Sequence, residues 1–321
     1  MNDEGTEKFF LLPFPVRSII VMGMDAQRTM DKVFVWVLVL FLAICVRAEG
    51  APDFDAQKQV LVQKLVAQGF DEGEARAVFE DKRVALYPEI IGRSGKGIDY
   101  FARKFGLLTP ASIERGQQVI RENSAALKQI ESQFGVNKEV LVAVYRLETN
   151  FGRYTGDRSV FNSLLTMAVI ENRRSVWAEK EWINLMILSK ERGLDPLSIK
   201  GSWAGAFGLV QFVPSSYRNY AIDGNGDGRV DLFNVVDALA SVANYLKLSG
   251  WDRNSVAKQK KAIYAYNHDD NYVDAVLAYA RATTRGVALP AGDSAPPTQP
   301  DAERAAPLTD GSAAAARPDE G

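Results

Sequence analysis

The chain has 321 residues and a formal net charge of −2, with 38 lysines and arginines against 40 aspartates and glutamates. This balance gives no general attraction to nucleic acid, and no run of like charge suggests a basic arm. Apolar residues make up 47% of the chain, which is ordinary globular composition, so one large domain or two modest ones are expected.

The N-terminal part carries an unbroken apolar run, VFVWVLVLFLAICV, over residues 33–46. The run is short for a membrane-spanning helix and is typical of a secretory signal that ends in small residues. We therefore expect residues 1–48 to be removed on export and the mature protein to lie in the periplasm. The sequence before Met24 or Met30 is interpreted as an extension upstream of the true start.

Cys45 is the sole cysteine and lies near the end of the apolar run. A lipoprotein signal carries a small residue before its acylated cysteine, whereas Ile44 is bulky, so lipid anchoring at Cys45 is not expected. With Cys45 removed, the mature protein has no disulfide and must be stabilised by its core.

From about residue 53 to residue 285, apolar residues recur every three or four positions and strand-like alternation is scarce, so an all-α fold is predicted. The capping residues and glycines indicate four helices. The first two cover residues 54–69 and 71–81. The third begins at a Thr109 cap with Pro110 at the first helical position and ends at Gly135, and the fourth begins at an Asn137 cap and ends at Gly152. Residues 287–321 are rich in Ala, Pro, Asp, Gly and Ser and are predicted to be a disordered tail.

The last of these helices contains VLVAVYRLETNFG, residues 140–152. Helical spacing puts Glu148 on the same side as Leu141, Val144 and Tyr145, among residues meant for the core. Desolvation there should raise the pKa of the carboxyl and let it hold a proton at neutral pH. Glu148 is therefore the candidate catalytic acid, and the alternative is a residue held in a salt bridge.

The stretch GSWAGAFGLVQFVPSSY, residues 201–217, sets Gly201, Gly205 and Gly208 around one amide, Gln211. Glycines permit close approach of the backbone to a partner, and an amide offers both donors and acceptors to a sugar. A helix-packing turn with a buried glutamine explains the same pattern equally well.

The stretch DGNGDGRVDLFN, residues 223–234, follows the calcium-loop pattern at every position except the last. The expected oxygen ligands are Asp223, Asn225, Asp227, the carbonyl of Arg229, Asp231 and Asn234. Because Asn234 replaces the usual bidentate glutamate, the site is expected to be weak or purely structural. The alternative is an Asp/Gly-rich surface turn that binds no metal.

These stretches, followed by ALASVANYL and AYN in the same order, resemble the membrane-type lytic murein transglycosylase B family over residues 55–285. The resemblance implies a lysozyme-like helical catalytic domain, 111–286, after a smaller helical lobe, 49–110. It also implies an enzyme that cleaves the MurNAc–GlcNAc β-1,4 bond of peptidoglycan without water, leaves 1,6-anhydromuramic acid ends, and uses no organic cofactor.

The same resemblance assigns roles to individual residues. It makes Glu148 the acid and base, lines the cleft with Ser202, Gln211, Tyr266 and Asn267, and brings Arg173 and Arg174 to the peptide stem. Plainer alternatives are a helix cap for Ser202, a core aromatic for Tyr266 and a solvated face for the arginines. His268 follows Asn267 in the sequence YNHDDNYV, at a point where many more distant relatives have YNAG. It is interpreted as an exposed loop residue.

The expected partners are peptidoglycan glycan strands and other cell-wall remodelling proteins. A goose-type-lysozyme-like hydrolase stays open as a rival, although the nearest acids, Asp157 and Glu171, are expected to be solvated or ion-paired. A non-catalytic wall-binding scaffold is the second rival. A calcium sensor is the third, but sensors usually carry paired loops and a Met-rich groove.

Overall fold

A computed structural model of the chain describes residues 54–95 and 97–285. The predicted signal segment, Cys45 and the tail from 287 lie outside these residues. The described helices are α1 Phe54–Ala67, α2 Glu72–Ala77, α3 Pro110–Glu122, α4 Ser124–Phe134, α5 Lys138–Thr149, α6 Val160–Val169, α7 Ser175–Arg192, α8 Pro214–Tyr220, α9 Val235–Leu248, α10 Val256–Tyr266 and α11 Asp270–Arg285. The all-α prediction is confirmed.

One small sheet interrupts the helices of the described part. Strand β1, Arg158–Ser159, pairs antiparallel with β2, Lys200–Gly201, with Arg158 opposite Gly201. Gly156 has φ +86°, and a Cβ added there would lie 2.2 Å from the carbonyl carbon of Gly201. A side chain at Gly156 would therefore push apart the two segments that lead into the sheet.

Helix α5 lies at the centre of the core and packs on α11, α3 and α9. Every residue from Val140 to Thr149 is buried. The spacing of its apolar residues placed Glu148 on the side that faces the core, and the burial extends to the other sides as well because neighbouring helices enclose α5. Glu148 is therefore a carboxyl in the interior of the protein, 5% exposed.

The N-terminal cap of α3 is confirmed, whereas the helix that follows it is broken. Thr109 accepts a hydrogen bond from the Ser112 N–H at 3.3 Å, and Pro110 occupies the first helical position. The single helix predicted from there to Gly135 is wrong, because the chain leaves helical geometry at Asn123, with φ −112° and ψ 24°. The Asn123 amide donates back to the carbonyl of Val119 at 2.9 Å, which satisfies the end of α3.

The two ends of α5 also differ from the prediction. Asn137 precedes the helix, but its side chain makes no capping hydrogen bond. The helix ends at Thr149 rather than at Gly152, because Asn150 already adopts a left-handed conformation with φ 50°. Phe151 follows with φ 60°, so two residues that carry side chains lie in the region that usually favours glycine.

Helices α1 and α2 pack together, and α1 also contacts α7. Lys64 of α1 pairs with Glu179 of α7, and Lys190 of α7 pairs with Glu74 of α2 at 3.1 Å. Residues 54–95 and 97–285 belong to one compact unit. Within the described ranges, no helix combines the length and apolar character needed to cross a membrane.

Candidate active site

Glu148 lies in the last turn of α5, facing α11. The hydroxyl of Tyr272, from α11, donates a hydrogen bond to Glu148 Oε1 at 2.6 Å. Tyr272 is 1% exposed, and Tyr266 from the end of α10 stacks on it with ring centroids 6.3 Å apart. The carboxyl is thus enclosed by tyrosine rings and receives a hydrogen bond that favours its ionised form.

The tyrosines around Glu148 keep their protons. Burial, followed by the charge of Glu148, raises the pKa of Tyr266 and of Tyr272 well above the ordinary value. Tyr272 therefore remains a hydrogen-bond donor through neutral and moderately alkaline pH. Sequence reasoning missed Tyr272, because nothing in its local pattern distinguishes it from a core aromatic.

Tyr100 completes this group from a different part of the chain. Its ring meets Tyr272 edge-on, with centroids 5.7 Å apart and planes at 77°. Burial first, and then the charges of Glu148 and Asp269, raise the pKa of Tyr100, while a hydrogen bond with Asn267 lowers it. Sequence reasoning also missed Tyr100. Because both Glu148 and Asn267 act on Tyr100, the predicted cleft residue Asn267 lies in the neighbourhood of Glu148.

The glycine-rich stretch passes beside the end of α5. Thr149 Oγ1 donates to the carbonyl of Leu209 at 2.7 Å, and the Tyr266 hydroxyl donates to the carbonyl of Val210. Gln211 is 2% exposed, has φ 51°, and donates through Nε2 to the carbonyls of Thr155 at 3.1 Å and Gly208 at 2.9 Å. The stretch is held to α5 and α10, near Glu148.

Ser202 lies at the start of the same stretch. Its Oγ accepts from the Ala206 N–H at 3.2 Å, and its own N–H donates to the Ala206 carbonyl at 2.7 Å. The next helix, α8, begins only at Pro214, so the helix-cap alternative for Ser202 is wrong. Ser202 instead closes a turn within the glycine-rich stretch.

The two predicted arginines occupy different environments. The Arg174 guanidinium lies over the rings of Trp177 at 4.1 Å and Trp203 at 5.8 Å. Its charge also reaches Glu181, a buried carboxylate that accepts hydrogen bonds from Ser215. Arg173 is exposed. The pair is thus divided into one arginine fixed among tryptophans and one that projects from the surface.

His268 is half-buried, so the prediction of an exposed loop residue is wrong. Its ring meets Tyr264 edge-on at 5.1 Å, and its Nδ1 is buried without a hydrogen-bond partner within the described structure.

The acids nearest in sequence to Glu148 are Asp157 and Glu171. Both are exposed, as expected.

The side chains of the calcium-like loop accept hydrogen bonds from the loop backbone. Asp223 accepts from the N–H groups of Gly226 at 2.6 Å and Gly228 at 2.8 Å. Asp227 accepts from the Arg229 N–H at 2.8 Å. Asn234 caps α9 by accepting from the N–H groups of Val236 at 2.9 Å and Asp237 at 3.3 Å, which explains the asparagine at the last position of the loop. Asp231 likewise accepts from the Phe233 N–H, at 2.8 Å.

Asp237 binds the backbone of the loop through hydrogen bonds. Sequence reasoning missed it because it lies beyond the twelve-residue pattern. It is fully buried, and its Oδ1 accepts from the N–H groups of Gly224 at 3.0 Å and Asn225 at 3.1 Å. Its Oδ2 accepts from Asp231 at 2.9 Å. The oxygen donors suit calcium, but over residues 54–95 and 97–285 no three acidic, imidazole or thiol groups converge to hold a metal ion.

The sequence profile of the transglycosylase SLT domain matches residues 53–259. The chain belongs to this family. The curated membrane-bound lytic murein transglycosylase B of Escherichia coli (strain K12) is 36% identical over 160 residues, which are 50% of this chain and 44% of that protein. The chain thus spans less than half the length of this relative, and the family resemblance seen in its motifs is confirmed.

Solved structures of lytic transglycosylases share the fold. SltB1 from Pseudomonas aeruginosa is 26% identical with a TM-score of 0.64, covering 71% of this chain and 98% of that one. SltB3 from the same species, in complex with NAG-anhNAM-pentapeptide, is 29% identical with a TM-score of 0.56, covering 63% and 55%. Escherichia coli Slt35 in complex with calcium has a TM-score of 0.64 at 24% identity over 71% and 92%. The lysozyme-like fold is confirmed.

Proposed function

We propose that this protein is a peptidoglycan lytic transglycosylase that cleaves the MurNAc–GlcNAc β-1,4 bond without water and leaves 1,6-anhydromuramic acid ends. The observation that carries the proposal is the buried Glu148 carboxyl with the Tyr272 hydroxyl 2.6 Å from its Oε1. The family membership of residues 53–259 supports it, as does the complex of SltB3 with NAG-anhNAM-pentapeptide.

In the first step, protonated Glu148 gives its proton to the glycosidic oxygen, and the bond to the muramic acid C1 breaks as an oxocarbenium-like state forms. In the second step, ionised Glu148 takes the proton of the C6 hydroxyl of that sugar, and O6 bonds to C1. The Tyr272 hydrogen bond stabilises Glu148 while it is ionised between the two steps. Glu148 ends protonated, ready for another turnover.

The cleft residues contribute differently to substrate binding. Asn267 offers an amide near Glu148, and the Tyr266 ring contributes an apolar wall because its hydroxyl is engaged by Val210. The Nε2 of Gln211 already donates to the carbonyls of Thr155 and Gly208, so Gln211 contributes by holding the glycine-rich stretch in place beside the cleft. Ser202 shapes the glycine-rich stretch that borders the cleft. Exposed Arg173 is suited to the carboxylates of a peptide stem. We propose that Arg174 acts there too, from its fixed position between Trp177 and Trp203.

Goose-type-lysozyme-like hydrolysis is the second candidate, and one observation favours it. Asp269 carries a charge that reaches Tyr100, so a second carboxylate lies near the group around Glu148. Its Oδ1 accepts from the Asn271 N–H at 2.8 Å, an Asx-turn bond that occupies one oxygen. In hydrolysis the other oxygen of Asp269 would activate water, and Asp269→Asn would then abolish activity.

The experiment digests purified murein with the full chain and identifies the products by mass spectrometry. The wild type is expected to release muropeptides that are lighter by one water than lysozyme products. Glu148→Gln, which cannot give and retake a proton, is expected to fold normally and lose nearly all activity. Glu139→Gln, at the opposite end of α5, serves as the matched control. Reducing ends from the outset, with an inactive Asp269→Asn, would support hydrolysis, and an inactive wild type would support the wall-binding scaffold.

We also propose that the loop 223–234 binds calcium weakly, through Asp223, Asn225, Asp227, the Arg229 carbonyl and Asp231, with Asn234 contributing no bidentate charge. The mature protein is proposed to act in the periplasm on glycan strands, together with other wall-remodelling proteins. Residues 49–110 are proposed as a helical lobe that contributes Tyr100 to the catalytic domain, 111–286.

A further inference from the structure

Arg146 is a buried cation on the catalytic helix, two residues before Glu148, and the proposed mechanism gives it no role. It is 5% exposed. Its Nε donates to Ser112 Oγ at 2.9 Å, and its Nη2 donates to the carbonyl of Phe105 at 2.9 Å. Both of these acceptors are neutral, so neither offsets the charge of the guanidinium.

A buried guanidinium with neutral acceptors is costly for the fold. Burial lowers the pKa of Arg146, but a guanidinium stays protonated in proteins and must be solvated by the groups around it. An apolar residue of similar length would fill the same space between α5 and α3 without that cost. The two groups that accept hydrogen bonds from Arg146 therefore indicate its role.

The contacts of Arg146 lead to the tyrosines around Glu148. Its guanidinium lies over the Phe105 ring, 5.2 Å from the centroid. Phe105 meets Tyr100 edge-on at 5.4 Å, with the ring planes at 82°. Tyr100 in turn meets Tyr272, which donates to Glu148. One helix thus carries the reacting carboxyl and also binds, through Arg146, the segment whose Tyr100 packs on Tyr272.

The segment that bears Tyr100 and Phe105 has little regular structure of its own. We call residues 97–106 the covering segment; it begins at Gly97 and ends at Gly106, which both have positive φ. Its internal backbone bonds close only short turns, such as Ala102 N–H to Asp99 O at 3.2 Å and Phe105 N–H to Ala102 O at 2.9 Å. Such a segment needs anchors from neighbouring elements to hold one conformation.

We propose that Arg146 is a positioning residue that anchors the covering segment to the catalytic helix, so that Tyr100 closes over Tyr272 and Glu148 and keeps water from the carboxyl. The role rests on the proposed function, because it acts on the fate of the oxocarbenium-like state. If O6 attacks C1, the anhydro ring forms. If water attacks C1 instead, it gives its proton to Glu148 and leaves a reducing end.

The first experiment measures hydrogen exchange of the covering segment in the full chain, without substrate. Arg146→Met is expected to lose protection at the Phe105 amide by about tenfold or more, while amides in α6 and α9 keep theirs. Arg146→Lys can reach only one of the two acceptors and should fall between. Ser112→Ala removes the acceptor of Nε but leaves the bond to Phe105, so its protection should stay near that of the wild type.

The second experiment measures the ratio of reducing to 1,6-anhydro ends released from purified murein. Arg146→Met is expected to lower kcat by about 10- to 100-fold because Tyr100 and Tyr272 are no longer held in place beside Glu148. It is also expected to raise the share of reducing ends. Arg146→Lys should restore part of both. Unchanged exchange and an unchanged product ratio in both variants would overturn the proposal, and Arg146→Lys provides that test if Arg146→Met does not fold. A wild type that yields only reducing ends would refute the proposed function, while the exchange experiment would still decide the anchoring role.

Discussion

Tyr272→Phe removes one hydroxyl, which donates to Glu148 Oε1 at 2.6 Å, and leaves the ring that packs between Tyr100 and Tyr266. Both partners are buried, so water cannot readily replace the lost donor. A hydrogen bond to a charged group contributes about 1.5–3 kcal/mol, and 1.36 kcal/mol corresponds to one pH unit of titration. Without the donor, ionised Glu148 is less stable, and the carboxyl keeps its proton to higher pH.

The assay is the pH dependence of kcat/KM for muropeptide release from a soluble glycan substrate. Because the first step needs protonated Glu148, activity falls as pH rises through its titration. In Tyr272→Phe this fall should move to higher pH by about 1–2 units. Tyr279→Phe is the matched control, since Tyr279 is also a buried tyrosine but its hydroxyl donates to the Ser112 carbonyl. The reasoning would be refuted if the fall in activity stayed at the same pH in Tyr272→Phe, or if it moved by an equal amount in both variants.

Two further predictions concern stability. Calcium binding by the loop should be no tighter than about 10⁻⁴ to 10⁻³ M, so millimolar calcium should raise Tm and Asp227→Ala should abolish the rise, whereas flat melting curves for both proteins would contradict metal binding. Burial raises the pKa of Glu181 above 4.5, so its contribution to stability is full below that pH and declines as pH rises through the folded value. The Tm advantage of the wild type over Glu181→Gln should therefore shrink as pH rises above 4.5, and a gap that widens would show that its proton binds more weakly in the folded state.

The sequence predicted helices well where local chemistry decides them. Thr109 and Pro110 begin α3 as expected, because a capping oxygen and a fixed φ act within one turn. The break at Asn123 was missed, since the apolar period continues through it and only the packing of α4 on α9 requires a new direction. The enclosure of α5 was missed for a related reason: one helix shows its own period but not how many neighbours surround it.

The candidate site divides in the same way. Glu148 was found because a carboxylate in an apolar stretch is unusual in any sequence. Tyr100 and Tyr272 were not found, since an aromatic among apolar residues suggests core, and their relation to Glu148 depends on contacts across more than 100 positions of the chain. Asp237 left one usable signal, an acid three residues beyond the loop in the first turn of α9.

The left-handed exit of α5 has a consequence for redesign. Phe151 has φ 60°, a conformation that costs a residue with a side chain about 1–2 kcal/mol and costs glycine almost nothing. A search for stabilising substitutions guided by backbone angles would therefore select glycine at this position. The Phe151 ring, however, contacts Tyr145 at 5.4 Å and Tyr279 at 6.5 Å, and glycine would leave a hole beside the helix that carries the catalytic acid. A Phe151→Gly variant would exchange local strain for a void, so this is a position where conformational preference alone ranks substitutions wrongly.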